Sequence, residues 1–244
     1  MRPTPQLPTL EVYMLGLVDF SEVQQLQRRI VHDLGEQGGA ALILCEHPPT
    51  ISVGRAGSRA HIGPDDTTLR ALGIKVQWVN RGGGCVFHVP GQLSAYLALP
   101  LEPIGLSVGE YVDGLHTAIV QVLAEFDLTG TFRPGVAGVF SGQARIATVG
   151  VAVSRWIAYH GLTLNVGPYL ELFDVLDEPG NGPLPLRHTS MEARRQRHTS
   201  MAKVREALIR SLEAVFGLER HHVYTKHPMI HGKVFSHVYA PTPG

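Results

Sequence analysis

Three consecutive glycines stand among reactive and polar side chains in the segment Arg81-Gly82-Gly83-Gly84-Cys85-Val86-Phe87-His88. Glycine accepts positive φ without steric cost and lets the backbone approach a ligand closely. The thiol of Cys85 becomes a nucleophile when it ionises. Arg81, His88 and the nearby Gln92 add polar groups on both sides of the run. The segment therefore predicts a ligand site, with a plain tight turn as the simpler alternative.

The glycine run does not have the pattern of a nucleotide-phosphate loop. A P-loop requires a lysine and a hydroxyl residue directly after its last glycine, and here Cys85 and Val86 follow. A dinucleotide fingerprint leads into a helix, whereas the pattern after Gly84 is that of a strand. The run is therefore not predicted to hold a nucleotide phosphate.

The elements that must position this run alternate irregularly between helix and strand. Apolar runs and alternation predict strands at Leu10–Leu15, Ala40–Cys45, Ile51–Val53, Lys75–Val79, Cys85–His88, Leu93–Leu99, Val136–Phe140, Arg145–Val153 and Ile157–Asn165. Helical spacing predicts helices at Phe20–Leu34, Asp65–Leu72, Ser107–Phe126 and Met201–Phe216. Such an order favours the α+β class, a mixed sheet packed with helices in a single domain.

The domain is predicted to span residues 10–217, after a Pro- and Thr-rich lead-in at 1–9 that is expected to be disordered. Residues 218–244 form a His-rich C-terminal extension that is expected to be solvated. Its histidine spacing matches no standard zinc pattern, so no metal is expected. Trp78 and Trp156 are predicted to fill the core or a pocket wall.

Composition bounds the partners and the location. The formal net charge is +0, which gives no electrostatic argument for nucleic acid. No leader-like or bilayer-length apolar run is present, so neither a signal peptide nor a membrane is expected and the chain is predicted to be cytoplasmic. Two cysteines without paired spacing do not predict a disulfide framework. A basic cluster at Arg194, Arg195 and Arg197 is expected to be only an exposed face, although it could steer an acidic carrier protein or a lipoyl domain.

Several motifs occur together in a recognisable order. Arg81-Gly82-Gly83, His88 and Pro90-Gly91-Gln92 resemble the signature of the octanoyltransferase family of lipoate biosynthesis, within the superfamily of lipoate- and biotin-protein ligases. Glu46-His47-Pro48-Pro49 with Gly54-Arg55 resembles the upstream family segment, and residues 155–165 resemble the downstream one. The resemblance runs from about residue 11 to residue 216.

The resemblance implies a biotin/lipoate-protein-ligase-like fold and octanoyl transfer from octanoyl-acyl carrier protein to a lysine of a lipoyl-domain protein, without a cofactor. It implies an acyl pocket formed by Arg81, Gly82, Gly83, Gly84, Cys85, Val86, Phe87, His88, Gln92, Thr148, Val149, Gly150, His160, Gly161, Leu162 and Thr163.

The sequence departs from the family at both positions that carry the chemistry. Family members use a cysteine nucleophile assisted by a lysine. Arg145 stands at the lysine position and Pro179 at the cysteine position, and residues 174–185 contain no cysteine. Arginine keeps a positive charge but does not exchange a proton near neutral pH.

Three functions therefore stay open. An acyltransferase with a displaced nucleophile would use Cys85, although most free cysteines are buried hydrophobes. Cys85 and His88 are three residues apart, which in a strand places them on opposite faces. A catalytically inactive relative, or pseudoenzyme, would still bind acyl groups, acyl carrier protein or a lipoyl domain. An ATP-dependent lipoate-protein ligase ranks last because it also lacks its lysine.

Overall fold

The computed structural model describes residues 9–132, 136–177 and 186–230. The strands are β1 (Thr9–Leu17), β2 (Ala40–Glu46), β3 (Thr50–Val53), β4 (Lys75–Trp78), β5 (Cys85–His88), β6 (Gln92–Pro100), β7 (Thr131–Phe132), β8 (Val139–Ser141), β9 (Ala144–Ser154), β10 (Ile157–Asn165) and β11 (Glu219–Tyr224). The α-helices are α1 (Phe20–Gln37), α2 (Asp66–Ala71), α3 (Val108–Glu125), α4 (Met191–Arg195) and α5 (Met201–Phe216).

Local sequence signals account for the helix ends. Ser107 and Glu110 form a reciprocal capping box at the start of α3. The apolar face of this helix is buried, and it consists of Tyr111, Leu115, Ala118, Ile119 and Val122. A repeated Arg-His-Thr-Ser-Met sequence places Ser190 and Ser200 at the N-caps of α4 and α5. The repeat thus marks two helix starts rather than a repeating architecture.

The larger sheet has eight strands in the order β11-β1-β2-β6-β10-β9-β8-β7. β1 pairs in parallel with β2 and β11, while the pairs from β2 through β6, β10 and β9 are antiparallel. Helices α3 and α5 bury their apolar faces on one side of this sheet, and α1 covers the other side. The predicted α+β class, a mixed sheet packed with helices, is confirmed.

A second sheet carries the glycine run. It has the order β4-β3-β5, with β3 parallel to β4 and antiparallel to β5. The turn that leads into β5 reaches the larger sheet, where the Gly82 amide donates to the Val151 carbonyl at 2.8 Å. Asn80 adds a hydrogen bond to the Tyr159 hydroxyl at 2.7 Å. The glycine run therefore lies at the junction of the two sheets.

Some predictions need correction. Residues 219–224, expected in a solvated extension, form β11, which extends the sheet beyond residue 217 by pairing with β1. The strand predicted at Val136–Phe140 begins only at Val139. Trp78 and Trp156 are not core residues: they are 65% and 59% exposed. The first ends edge strand β4, and the second lies in a two-residue turn between β9 and β10 that directs it outward.

None of the described helices is long and apolar enough to cross a membrane.

Candidate active site

The glycine turn is held through its carbonyl groups. The carbonyls of residues 81, 83 and 84 accept hydrogen bonds from the amides of residues 54–56, at 3.0 to 3.1 Å. Gly83 has a φ of +81°, in the region that favours glycine. A Cβ on Gly54 would lie 2.5 Å from the Gly83 carbonyl oxygen. Both glycines are therefore required for this close backbone packing.

Within the described residues, the amides of Gly83 and Gly84 donate to no acceptor. Both residues line a cavity that Cys85 also lines. Backbone N–H groups that face a cavity are ready to receive a negatively charged oxygen.

Arg81 directs its guanidinium inward, under the turn. It is only 6% exposed and donates to the carbonyl of Gly82 and to the carbonyl and hydroxyl of Ser52, at 2.8 to 2.9 Å. The Ser52 hydroxyl is also 2.9 Å from Nε2 of His88. This hydroxyl accepts from Arg81 and is also 3.5 Å from the Val86 carbonyl oxygen, so it can donate either to that carbonyl or to Nε2 of His88.

A narrow cleft, the slot, lies between the glycine turn and the larger sheet. Its volume is about 20 Å³. Its walls are Phe20, Arg81, Val86, His88, Tyr96, Thr148, Gly150, His160, Gly161, Leu162 and Thr163. Val86 and Leu162, predicted from sequence to line an acyl tunnel, do contribute apolar wall. This volume holds about one water molecule, so the walls of the slot must move apart to admit an alkyl chain.

Other residues of the predicted acyl pocket lie elsewhere. Phe87 packs edge-on against Phe173 in the core of the smaller sheet. Val149 belongs to the core between the larger sheet and α3. The Gln92 amide donates to the Phe87 carbonyl and to Asn165, at 2.9 Å each, so it braces strands.

Sequence reasoning missed Phe20 and Tyr96 as slot residues. Phe20 begins α1 and Tyr96 lies within β6, and no local signal distinguishes them from core aromatics. Tyr96 is fixed by a hydrogen bond of 2.8 Å to Nε2 of His47, whose Nδ1 is 2.8 Å from the Val18 carbonyl. The carbonyl only accepts, so the proton of His47 is on Nδ1 and Nε2 accepts from Tyr96.

The histidines in and behind the slot stay neutral. Burial lowers the pKa of His47 to about 4. Burial, with the nearby Arg81 and Arg28 charges, lowers the pKa of His160 to about 3. Burial also lowers the pKa of His88 well below its ordinary value. The slot is therefore polar in part, but these imidazoles are poor proton acceptors.

A second cavity, the thiol cavity, adjoins the slot. It has a volume of about 170 Å³ and is lined by Ala56, His61, Gly83, Gly84, Cys85, Ala137, Arg145 and Thr148. Thr148 lines both the slot and the thiol cavity. A chain lying in the slot with its head group at Thr148 would therefore present that group to the thiol cavity.

Cys85 is 2% exposed, and its Sγ lies 3.6 Å from the carbonyl oxygen of Ser58. Arg145 lies on β9, where its amide donates to the Arg187 carbonyl at 2.8 Å and its carbonyl accepts from the Thr189 amide at 2.9 Å. Its charge adds to burial in lowering the pKa of His188 to about 3. The structure thus brings the predicted Cys85 and Arg145 to one cavity. Pro179, the third predicted position, lies outside the described residues.

Cys45 has a different environment. It is fully buried on β2, with Sγ 3.5 Å from Nε2 of His47, and burial raises the pKa of its thiol. It lines neither cavity, so it is a core cysteine and a natural control for Cys85. No described group of three or more His, Cys, Asp or Glu side chains is arranged to hold a metal ion.

The model of the family described as "Lipoyl protein ligase A/B catalytic domain" matches residues 19–213, and the chain belongs to this family. Octanoyltransferases from Chloroflexus aggregans and Roseiflexus sp. are 38% and 39% identical to it. The alignments cover 86% of this chain in both cases, and 96% and 89% of the two relatives. The resemblance drawn from the motifs is confirmed.

Solved structures agree on the fold. A lipoate-protein ligase A that was crystallised with ATP superposes with a TM-score of 0.75 at 16% identity. The superposition covers 92% of this chain and 91% of that ligase. The predicted lipoate-ligase-like fold is therefore confirmed.

Proposed function

We propose that this protein transfers an octanoyl group from octanoyl-acyl carrier protein to a lysine of a lipoyl domain, as in lipoate biosynthesis. The naming of its relatives supports octanoyl transfer. The observation that carries the site assignment is the position of Thr148, which lines both the slot and the thiol cavity. An alkyl chain in the slot would place its thioester beside Cys85.

The slot supplies the affinity for the chain. Burial of an octanoyl chain at about 0.8 kcal/mol per methylene contributes on the order of 5 kcal/mol before the cost of ordering. This term depends on the apolar walls at Phe20, Val86 and Leu162 rather than on the thiol.

The thiol cavity supplies the chemistry. The Cys85 thiolate attacks the thioester carbonyl, a new carbon–sulfur bond forms, and the carrier thiolate leaves. The lysine amine then attacks the acyl-cysteine, the carbon–sulfur bond to Cys85 breaks, and the proton lost by the amine passes to the leaving sulfur as the amide forms. The free amides of Gly83 and Gly84 and the Arg145 charge would stabilise the negatively charged oxygen in both steps.

A second candidate is an acyl-binding protein without turnover. Cys85 is almost fully buried within the apolar cluster of the smaller sheet, and Arg145 does not exchange protons near neutral pH. The slot does not depend on either residue for its shape. Such a protein would bind an octanoyl thioester and leave it intact.

One experiment separates these functions. The protein is incubated with octanoyl-acyl carrier protein, and intact mass is measured for the parent chain, Cys85→Ala and the matched control Cys45→Ala. An octanoyl adduct that only Cys85→Ala loses, together with octanoyl gain on an added lipoyl domain, supports transfer. Thermal protection by the thioester without an adduct supports the binding protein, and an adduct that requires ATP supports a ligase.

A further inference from the structure

A histidine lines the cavity that contains Cys85. We propose that His61 is the proton carrier for the Cys85 thiol, so that it acts as general base and then general acid in acyl transfer. This inference rests on the proposed function, because it assigns the proton path of that same site. It is carried by the geometry of the thiol cavity, where His61, Cys85 and Arg145 are three of the lining residues.

The backbone fixes His61 next to the thiol. His61 ends a single turn of 3-10 helix at Arg59–His61, and its amide donates to the Ser58 carbonyl at 3.1 Å. The Cys85 thiol donates to this same carbonyl oxygen at 3.6 Å. On the other side, the Asp177 amide donates to the His61 carbonyl at 2.8 Å. The position of His61 is therefore set from two directions, and one shared acceptor links it to Cys85.

The imidazole of His61 is available for this role. Within the described residues it makes no side-chain hydrogen bond, and it is only partly buried. The charged groups around it are Arg145 across the cavity, Arg59 on the same turn, which pairs with Asp66, and Asp177 beside its carbonyl. Histidine is the side chain that most readily gains and loses a proton near neutral pH.

Neither of the other two nearby histidines fits the role. His88 lies on the opposite face of β5 from Cys85 and is bonded to Ser52. His188 lines a different cavity and stacks on Phe173, with ring centroids 4.6 Å apart. The low pKa of His188, about 3, also leaves it a weak base.

The proton balance follows directly. His61 takes the proton of the Cys85 S–H as the sulfur bonds to the thioester carbon. It gives this proton to the carrier sulfur when the carbon–sulfur bond of the donor breaks, which releases a free carrier thiol. In the second half, His61 takes a proton from the attacking lysine amine and returns it to the Cys85 sulfur as the amide forms. Arg145 stays protonated throughout and stabilises negative charge.

The test measures alkylation of Cys85 by iodoacetamide as a function of pH, which does not require turnover. Peptide mass resolves Cys85 from Cys45. The variants are His61→Gln and His61→Ala, and His198→Gln is the control because its side chain is 86% exposed and lines a different surface cavity. Thermal unfolding verifies that each variant is folded.

We expect both His61 variants to alkylate Cys85 at least tenfold more slowly near pH 7, and to shift the pH midpoint of the reaction upward. Added imidazole should restore much of the rate in His61→Ala, because the cavity can admit it. An unchanged rate and midpoint in both variants would overturn the inference. A loss of rate that imidazole does not restore would indicate a structural effect and would also count against it.

The transfer function and the role of His61 can fail independently, and different measurements detect each failure. If the parent chain forms no octanoyl adduct on Cys85, the transfer function fails, while alkylation still reports on the link between His61 and Cys85. If the parent chain forms the adduct and His61→Gln forms it at the same rate, the transfer function stands and the role of His61 is wrong.

Discussion

Cys85 and His88, both on β5, face opposite sides of the strand. The Cys85 sulfur lies 3.6 Å from the Ser58 carbonyl in the thiol cavity, whereas Nε2 of His88 lies 2.9 Å from the Ser52 hydroxyl beside the slot. The strand therefore separates the Cys85 thiol from the polar support of the slot. A change on one face is expected to affect one function and to spare the other.

Ser52→Ala tests the support of the slot. The substitution removes a hydroxyl that accepts a hydrogen bond from Arg81 at 2.8 Å and is hydrogen-bonded to Nε2 of His88 at 2.9 Å. The buried polar atoms of Arg81 and His88 then lose a partner. We expect a loss of about 1–3 kcal/mol in the free energy of unfolding, and weaker binding of octanoyl thioester. Chemical denaturation and thermal shift with ligand measure the two effects. Ser211 is a buried helical serine whose side chain makes no hydrogen bond to another described residue, so Ser211→Ala should change stability by less than about 0.5 kcal/mol.

Gly54→Ala tests the packing of the glycine turn. Its Cβ would lie 2.5 Å from the Gly83 carbonyl oxygen and 2.7 Å from the Arg81 guanidinium, so the turn must move. We expect the free energy of unfolding to fall by about 1–3 kcal/mol, as for other overpacked sites, and the melting temperature to fall with it. Gly35→Ala is the matched control, since its Cβ would meet only Ile157 at 3.7 Å and a helical alanine is favourable. Equal melting temperatures for the two variants would contradict the predicted clash.

Val86→Phe tests whether the slot sets acyl-chain length. The side chain lines a slot with about 20 Å³ of free space, so a phenyl ring would shorten it. We expect thermal protection by octanoyl thioester to fall while protection by hexanoyl thioester is retained. Val86→Ala should shift the preference toward longer chains. Val153→Phe, at a residue that is 40% exposed, is the control and should leave the preference unchanged.

Acid should destabilise the protein through its neutral buried histidines. The pKa of His47 is lowered from 6.5 to about 4, and the pKa values of His160 and His188 are lowered from 6.5 to about 3. Below pH 6.5 these three histidines bind protons in the unfolded chain but stay neutral in the native chain. The contribution of these histidines to the free energy of unfolding is therefore complete above pH 6.5. It falls as pH decreases toward 4 and then 3, by up to about 1.4 kcal/mol per pH unit for each histidine.

Chemical denaturation between pH 7.5 and pH 4.5 measures this slope. His47→Gln should reduce it by close to the contribution of one proton, whereas His32→Gln, on a side chain that is 54% exposed, should leave it unchanged. A stability that is constant over this range would show that the buried histidines are protonated without cost.

Much of the fold could be predicted because its signals are local. Helix α5 and strands β5 and β10 occur at the bounds that periodicity predicts, since the spacing of apolar residues depends only on which face each element buries. β11 was missed because its histidines and arginine carry no apolar pattern. It forms because β1 offers it a parallel partner. Trp78 and Trp156 were misplaced because size predicts burial only on average, and an edge strand and a turn expose them.

The sequence by itself determined the glycine run and the family, and it predicts departures from the family at Arg145 and Pro179, because residue type and order carry these features. Only the tertiary structure decided how space is divided around them. Thr148 lines both the slot and the thiol cavity because β9 passes the glycine turn, and His61 lies near Cys85 because both donate to the carbonyl of Ser58. These contacts join elements distant in the chain, which packing sets and local pattern does not record.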